Sequence, residues 1–183
     1  MENLKKDIEK ILFSHEDIVA ASIRVAKQIE EDYKDKDGYP VLLCTLKGAL
    51  PFMAELIKHI DIHIVTDFID VSSYHGGTSS SGQIKINKDI SMDIKGRDVI
   101  IVEDIVDTGR TLKALIEYLE TREVRSVACA SLVDKPEARV VEVQADYIGV
   151  ESPNAFLVGF GLDYEERYRN LPYIGILKKE IYS

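Results

Sequence analysis

The sequence predicts an α/β fold, a parallel sheet with helices on both faces, and three observations carry that expectation. Short apolar runs bounded by turn signals alternate with segments of helical spacing, the pattern of successive strand–helix units. At 183 residues the chain is long enough to bury one sizeable core and short for two ordinary domains, so a single domain over 1–183 is expected. Its 45% apolar and 30% charged residues match a packed globular protein rather than a disordered one.

The elements follow in order. After an amphipathic opening over residues 4–13, Ser14 with Asp17 three positions later resembles a capping box. It starts a helix in which Val19, Ile23, Ala26, Ile29 and Tyr33 keep helical spacing. The charged run EDYKDKDG ends that helix. PVLLCTL, residues 40–46, reads as a buried strand, and Lys47-Gly48 turns the chain into a second helix over about 50–59. IHIVTDFIDVSS, residues 62–73, alternates only in part and predicts a strand covered unevenly on its two faces. The following HGGTSSSG has nothing with which to pack a core, so 74–82 is expected to be a mobile loop. A short strand and a polar connection fill 83–94. DVIIVE at 98–103 is the most strongly apolar strand candidate, and a helix over 110–120 follows it. Strands at 126–133 and 147–151, apolar pieces at 156–160 and a final strand at 173–177 complete the pattern.

Several function classes are disfavoured. Net charge is −9, from 23 basic against 32 acidic residues, which argues against a nucleic-acid-binding surface. No apolar run is long enough to span a bilayer, and the charged amino terminus does not read as a secretory signal, so no membrane partner and a cytoplasmic location are expected. Cys44 and Cys129 both sit in apolar runs, where a reduced thiol packs as a small hydrophobe. The histidines His15, His59, His63 and His75 lack zinc-ligand spacing.

The chemistry concentrates in VIIVEDIVDTGRTL, residues 99–112, where an apolar strand runs into a turn and then a helix. Open α/β sheets bind ligands at the carboxyl ends of their strands, which is where this turn falls. Thr108, Gly109 and Thr111 are small enough for backbone N–H groups to close around an anion at the helix amino terminus, a cradle suited to a phosphate monoester. Glu103 and Asp104 precede the cradle and suit sugar hydroxyls or a divalent cation, while Asp107 lies nearer a reacting centre. The plainer alternative is that these acids only cap the helix. No GxxxxGK[ST] is present, which disfavours a Walker-type nucleotidase.

The run VEDIVDTGRTL resembles the diphosphate-sugar signature of the type I phosphoribosyltransferases, with Asp107 placing it nearest the hypoxanthine-guanine branch. LKG at 46–48, SY at 73–74, SLVDK at 131–135 and FLVGFGLDYEERYRNLPYIG at 156–175 agree with the same family in the same order. The resemblance implies a twisted parallel sheet with helices on both faces, plus a small hood from about 1–13 and 150–183. It also implies transfer of the phosphoribosyl group of 5-phosphoribosyl 1-diphosphate to hypoxanthine or guanine, with Mg2+ as cofactor and a homodimer or homotetramer as assembly.

Residue by residue, the resemblance assigns Glu103 and Asp104 to the ribose hydroxyls and a magnesium ion, and Asp107, Thr108, Gly109, Arg110 and Thr111 to the 5′-phosphate loop. It makes Leu46-Lys47 a step that is often cis, leaving Lys47 and Gly48 for the diphosphate, which Arg169 also reaches. Lys135 corresponds to the donor to a purine 6-oxo group; an ammonium has no acceptor and leaves the 6-amino group of adenine unmatched. Phe156 corresponds to the aromatic that stacks on the base, with Ile105 and Leu157 lining the same pocket, although a lone phenylalanine in an apolar run also suits a core. Asp163 helps hold a second magnesium. Ser73 and Tyr74 open the loop that closes to exclude water, and Asp107 takes the purine N7 proton. Two rivals remain from the residues: a relative that kept the sugar-phosphate site but regulates through RNA or DNA, and a transferase for another base.

Overall fold

A computed structural model describes residues 2–73 and 84–183. The elements are α1 (Glu2–Lys5), β1 (Ile8–Phe13), α2 (His15–Tyr33), β2 (Val41–Leu46), α3 (Leu50–Leu56), β3 (Val65–Ser73), β4 (Ile84–Lys88) and β5 (Asp98–Val106). They continue as α4 (Arg110–Glu120), β6 (Ser126–Asp134), β7 (Tyr147–Glu151), β8 (Leu157–Val158), β9 (Ile174–Leu177) and α5 (Lys179–Tyr182).

The main sheet has the order β4-β3-β2-β5-β6-β7. All its pairings are parallel except β3 with β4, which is antiparallel. β2 and β5 are central because their apolar residues are buried on both faces, as parallel strands covered by helices require. Successive residues alternate between two cores. Leu42, Cys44, Ile100 and Val102 face α2 and α3, while Val41, Leu43, Val99 and Ile101 face α4. Both thiols are buried and free, and burial pushes Cys44 up to about 12 and Cys129 well above its ordinary value. They pack as small hydrophobes.

The capping box at Ser14 is present in both directions, with Asp17 N–H donating to Ser14 Oγ at 3.2 Å and Ser14 N–H to Asp17 Oδ2 at 2.9 Å. The inward stripe of α2 differs from the expected one. Ile18, Ala21, Ser22, Val25, Ala26, Ile29 and Tyr33 are buried, and Val19 and Ile23 lie beside them half-buried. Bulk misleads here, because the small Ala21 and Ser22 face the sheet, with Ser22 Oγ donating to the Ile18 carbonyl at 2.9 Å. β3 begins at Val65 rather than 62; Ile62 and Ile64 pack against the core without joining the strand. β5 continues past Glu103 to Val106, held by parallel pairing of Ile105 with Val133 and Val106 with Asp134. The acidic pair therefore stands inside the strand.

A second sheet, order β1-β9-β8, is antiparallel and closes over its own cluster of Ile8, Val158, Tyr168, Leu171 and Leu177. This is the counterpart of the expected hood. Its carboxyl-terminal part starts later than about 150, since Val150 and Glu151 still belong to β7. The expected mobile loop over 74–82 lies outside the described residues.

Leu115 is the test of how α4 is held, being fully buried between that helix and the sheet. Leu115→Ala should lower unfolding free energy by about 2–5 kcal/mol, read as a lower urea midpoint with unchanged slope.

Candidate active site

Parallel strands bring their carboxyl ends to one side of the sheet, and the end of β5 with the amino terminus of α4 forms the floor of a site there. Glu103 is buried, with Oε2 2.6 Å from Thr45 Oγ1, which is itself 2.9 Å from the Val102 carbonyl. Burial first, and then the adjacent Asp104 charge, push Glu103 up to about 8, with Thr45 opposing. The Thr45 hydroxyl is within donating distance of both the Glu103 carboxylate and the Val102 carbonyl, and its one proton serves one of them at a time. Burial also raises Asp104, to about 6, against the Ile105 N–H, which donates to Oδ1 at 2.9 Å, and the Arg169 charge.

Beyond the acids, Gly109 sits at the N-cap of α4 with φ +82°, a conformation that costs any residue with a Cβ. Thr108 is exposed, and Thr111 is in the first turn of α4. A cleft of about 270 Å3 is lined by Glu103, Asp104, Asp107, Thr108, Gly109 and Thr111 among others. No acidic residue occupies the first turn of α4, and residues of that turn line the cleft together with the three carboxylates.

A second cleft, about 440 Å3, adjoins the first and shares Asp104, Ile105 and Asp107 with it. Lys135, Phe156 and Leu157 complete much of its wall. Lys135 Nζ lies 3.4 Å from Asp107 Oδ2, the lysine side chain 6% exposed and the aspartate 46%. Phe156 is 37% exposed, so it is not core; it stacks on Tyr182 with centroids 4.6 Å apart and meets Tyr164 edge-on at 5.7 Å.

The third component is the turn after β2. The Leu46–Lys47 peptide bond is cis. Gly48 presses against Asp104 so closely that a Cβ would overlap its carboxylate, and Gly161 packs in turn on the Gly48 carbonyl. Arg169 reaches the same place, with Nη1 2.7 Å from the Gly161 carbonyl and 2.9 Å from Asp163 Oδ1, and its buried Nε has no partner. Glu166 bridges Lys47 at 3.0 Å and Arg169 at 3.4 Å.

Apart from Ser73, the expected site residues in the described segments fall in these three adjoining parts, Arg110 being the first residue of α4. Ser73 ends β3 opposite Ile84, and Tyr74 lies outside the described residues. Among the described residues no three acidic, histidine or cysteine side chains converge as a ready metal cage. Thr45, Glu166 and Tyr182 were not legible beforehand. A hydroxyl inside the apolar PVLLCTL was the one available signal for Thr45, and nothing local marks Tyr182, which comes from the far end of the chain.

A family model described as the phosphoribosyl transferase domain matches residues 9–165. A hypoxanthine-guanine phosphoribosyltransferase from Streptococcus thermophilus is 59% identical over 98% of this chain and 99% of its own. The crystal structure of a hypoxanthine phosphoribosyltransferase from Staphylococcus aureus has 46% identity and TM-score 0.93, covering 98% of this chain and 97% of that one. A Trypanosoma cruzi hypoxanthine phosphoribosyl transferase, studied for the role of its C-terminal region on oligomeric state and enzymatic activity, has 42% identity and TM-score 0.92 and covers 97% and 95%.

Gly48→Ala should separate packing from chemistry. The added methyl displaces the Asp104 carboxylate, so kcat/KM should fall by about a hundredfold while the thermal midpoint moves little.

Proposed function

The chain belongs to the phosphoribosyl transferase domain family, and from that premise we propose how it carries out its reaction. The protein is a purine-salvage phosphoribosyltransferase that transfers the 5-phosphoribosyl group of 5-phosphoribosyl 1-diphosphate to hypoxanthine or guanine. Two adjoining clefts that share Asp107 carry the assignment of roles: one shaped by backbone for a phosphate, the other walled by an aromatic and a lysine for a base.

In this reading the 5′-phosphate rests on the amides of Asp107, Thr108, Gly109, Arg110 and Thr111, and the ribose hydroxyls meet Glu103 and Asp104. The diphosphate takes the place beside Lys47, Gly48 and Arg169, where the unpartnered Arg169 Nε is a donor in reserve. Phe156 stacks on the purine, Ile105 and Leu157 enclose it, and Lys135 donates to the 6-oxo group. Purine N9 attacks the anomeric carbon with inversion as diphosphate leaves. Asp107 receives the N7 proton, which makes the ring a better nucleophile, and Lys135 beside it stabilises the carboxylate until then.

Mg2+ fits the donors. Magnesium is held by one or two carboxylates together with substrate phosphates and water rather than by a full protein cage, and Glu103, Asp104 and Asp163 provide hard oxygens of that kind. When bound it would neutralise charge on the departing diphosphate. Burial holds Glu103 and Asp104 above their usual range, with Arg169 only partly offsetting it at Asp104, and a bound cation would relieve both, which supports this reading.

We place the enzyme in the cytoplasm, working on small molecules, with neither nucleic acid nor membrane as partner. Among the described residues no helix is long and apolar enough to cross a membrane, and the acidic balance disfavours nucleic acid. A homodimer or homotetramer is the assembly proposed from the relatives.

The test is direct. Incubated with magnesium and the diphosphate sugar, the protein should convert hypoxanthine and guanine to their monophosphates and leave adenine, and excess chelator should abolish turnover. Adenine consumed at a comparable rate would refute the role of Lys135, and undiminished turnover in chelator would refute that of magnesium.

A further inference from the structure

The crossover from β6 to β7 is unusual for a parallel pair, because among its residues only a single 3-10 turn, Pro136–Ala138, is helical. The chain instead folds back over the phosphate loop. Arg139 is the centre of this contact. Its Nη1 donates to the Asp107 carbonyl at 2.7 Å, its Nη2 pairs with the Asp134 carboxylate, and the two side chains are only 14% and 7% exposed. The next amide, Val140 N–H, donates to the Thr108 carbonyl at 3.1 Å. Val143 Cγ1 and Arg139 Cδ then close over Gly109, 2.6 and 2.8 Å from where a Cβ would stand.

Two successive carbonyls of the loop are therefore held from outside. In a trans peptide the N–H points opposite to the C=O, so fixing the Asp107 and Thr108 oxygens towards the crossover turns the Thr108 and Gly109 N–H groups away from it. The crossover residues line a separate cleft with Asp134 and Arg139, which shares no lining residue with the one that Thr108 and Gly109 line. Arg139 directs Nη1 to a loop carbonyl and Nη2 to Asp134, and it does not line the cleft that Thr108 and Gly109 line. A buried ion pair adds little stability over a well-packed apolar pair, and its distinctive property is fixed geometry.

We infer that Arg139, held by Asp134, is a positioning residue that aims the backbone amides of the phosphate loop. The inference rests on the reading of residues 107–111 as the sugar-phosphate site, so the parent protein is first titrated with ribose 5-phosphate. No binding there would overturn that reading, and the role of Arg139 with it, before any substitution is made.

Arg139→Met alone leaves Asp134 buried without a partner and can unfold the protein for that reason. The double variant Arg139→Met with Asp134→Asn removes the orphaned charge and should restore most of the thermal midpoint. In that variant ribose 5-phosphate should still bind about tenfold or more weaker, with KM for the diphosphate sugar rising in parallel and KM for hypoxanthine within about twofold. Arg139→Lys should recover little, since one ammonium lacks the planar fork that reaches carbonyl and carboxylate together. Parent-like affinity for ribose 5-phosphate in the double variant, or equal losses for sugar and purine, would overturn the inference.

Discussion

Two carboxylates follow one another at the end of the central strand, and the site is organised around the cost of taking them out of water. Burial raises both, the Asp104 charge adds to the rise at Glu103, and Asp163 adds a smaller one at Asp104. Their neighbours answer that charge in different ways. Thr45 gives Glu103 a hydroxyl at 2.6 Å, Ile105 gives Asp104 a backbone N–H at 2.9 Å, and Arg169 adds a guanidinium. Gly48 has no side chain because the Asp104 carboxylate fills the space where one would go. The glycine, the cis bond before it and the hood turn at Gly161 are packed together around a single aspartate.

The same acidity explains why the phosphate end of the site is made of backbone. In a protein of net charge −9, with carboxylates already crowded at β5, amides at a helix amino terminus bind an anion without adding flexible side chains. The cations near the diphosphate place are already engaged: Lys47 with Glu166, and Arg169 with Asp163 and Glu166. In the proposed reading an incoming diphosphate would exchange partners with these carboxylates instead of meeting bare charge. Such an exchange lowers net affinity while favouring a ligand with several oxygens, because each displaced carboxylate must be replaced.

The sheet was legible because its strands and helices differ in period: within DVIIVE the four residues 99–102 are continuously apolar, and the α4 sequence RTLKALIEYLE repeats at helical spacing. What escaped had physical reasons. β5 runs on through two acids, which single-residue propensity disfavours, because pairing with β6 compensates. The short strand expected within 83–94 is present as β4, but its antiparallel place at the sheet edge was not legible, because half-exposed residues carry no sign of direction. The hood depends on β8, only two residues long, and on pairing between opposite ends of the chain. At the site, the continuous motif over residues 103–111 marked the cleft at the end of β5 and the start of α4, whereas the Thr45 contact, the Tyr182 stack and the Arg139 contact arise from residues far apart in sequence.

The most direct measurement is the effect of Asp107→Asn on turnover and on diphosphate-sugar affinity, determined in the same preparation. Asparagine keeps the size and the loop backbone but cannot accept the N7 proton. If Asp107 is the proton acceptor, turnover falls by roughly a hundredfold to ten-thousandfold and sugar affinity changes by less than about tenfold. Turnover within about threefold of the parent would contradict the account, since the proton would then have to go to another group.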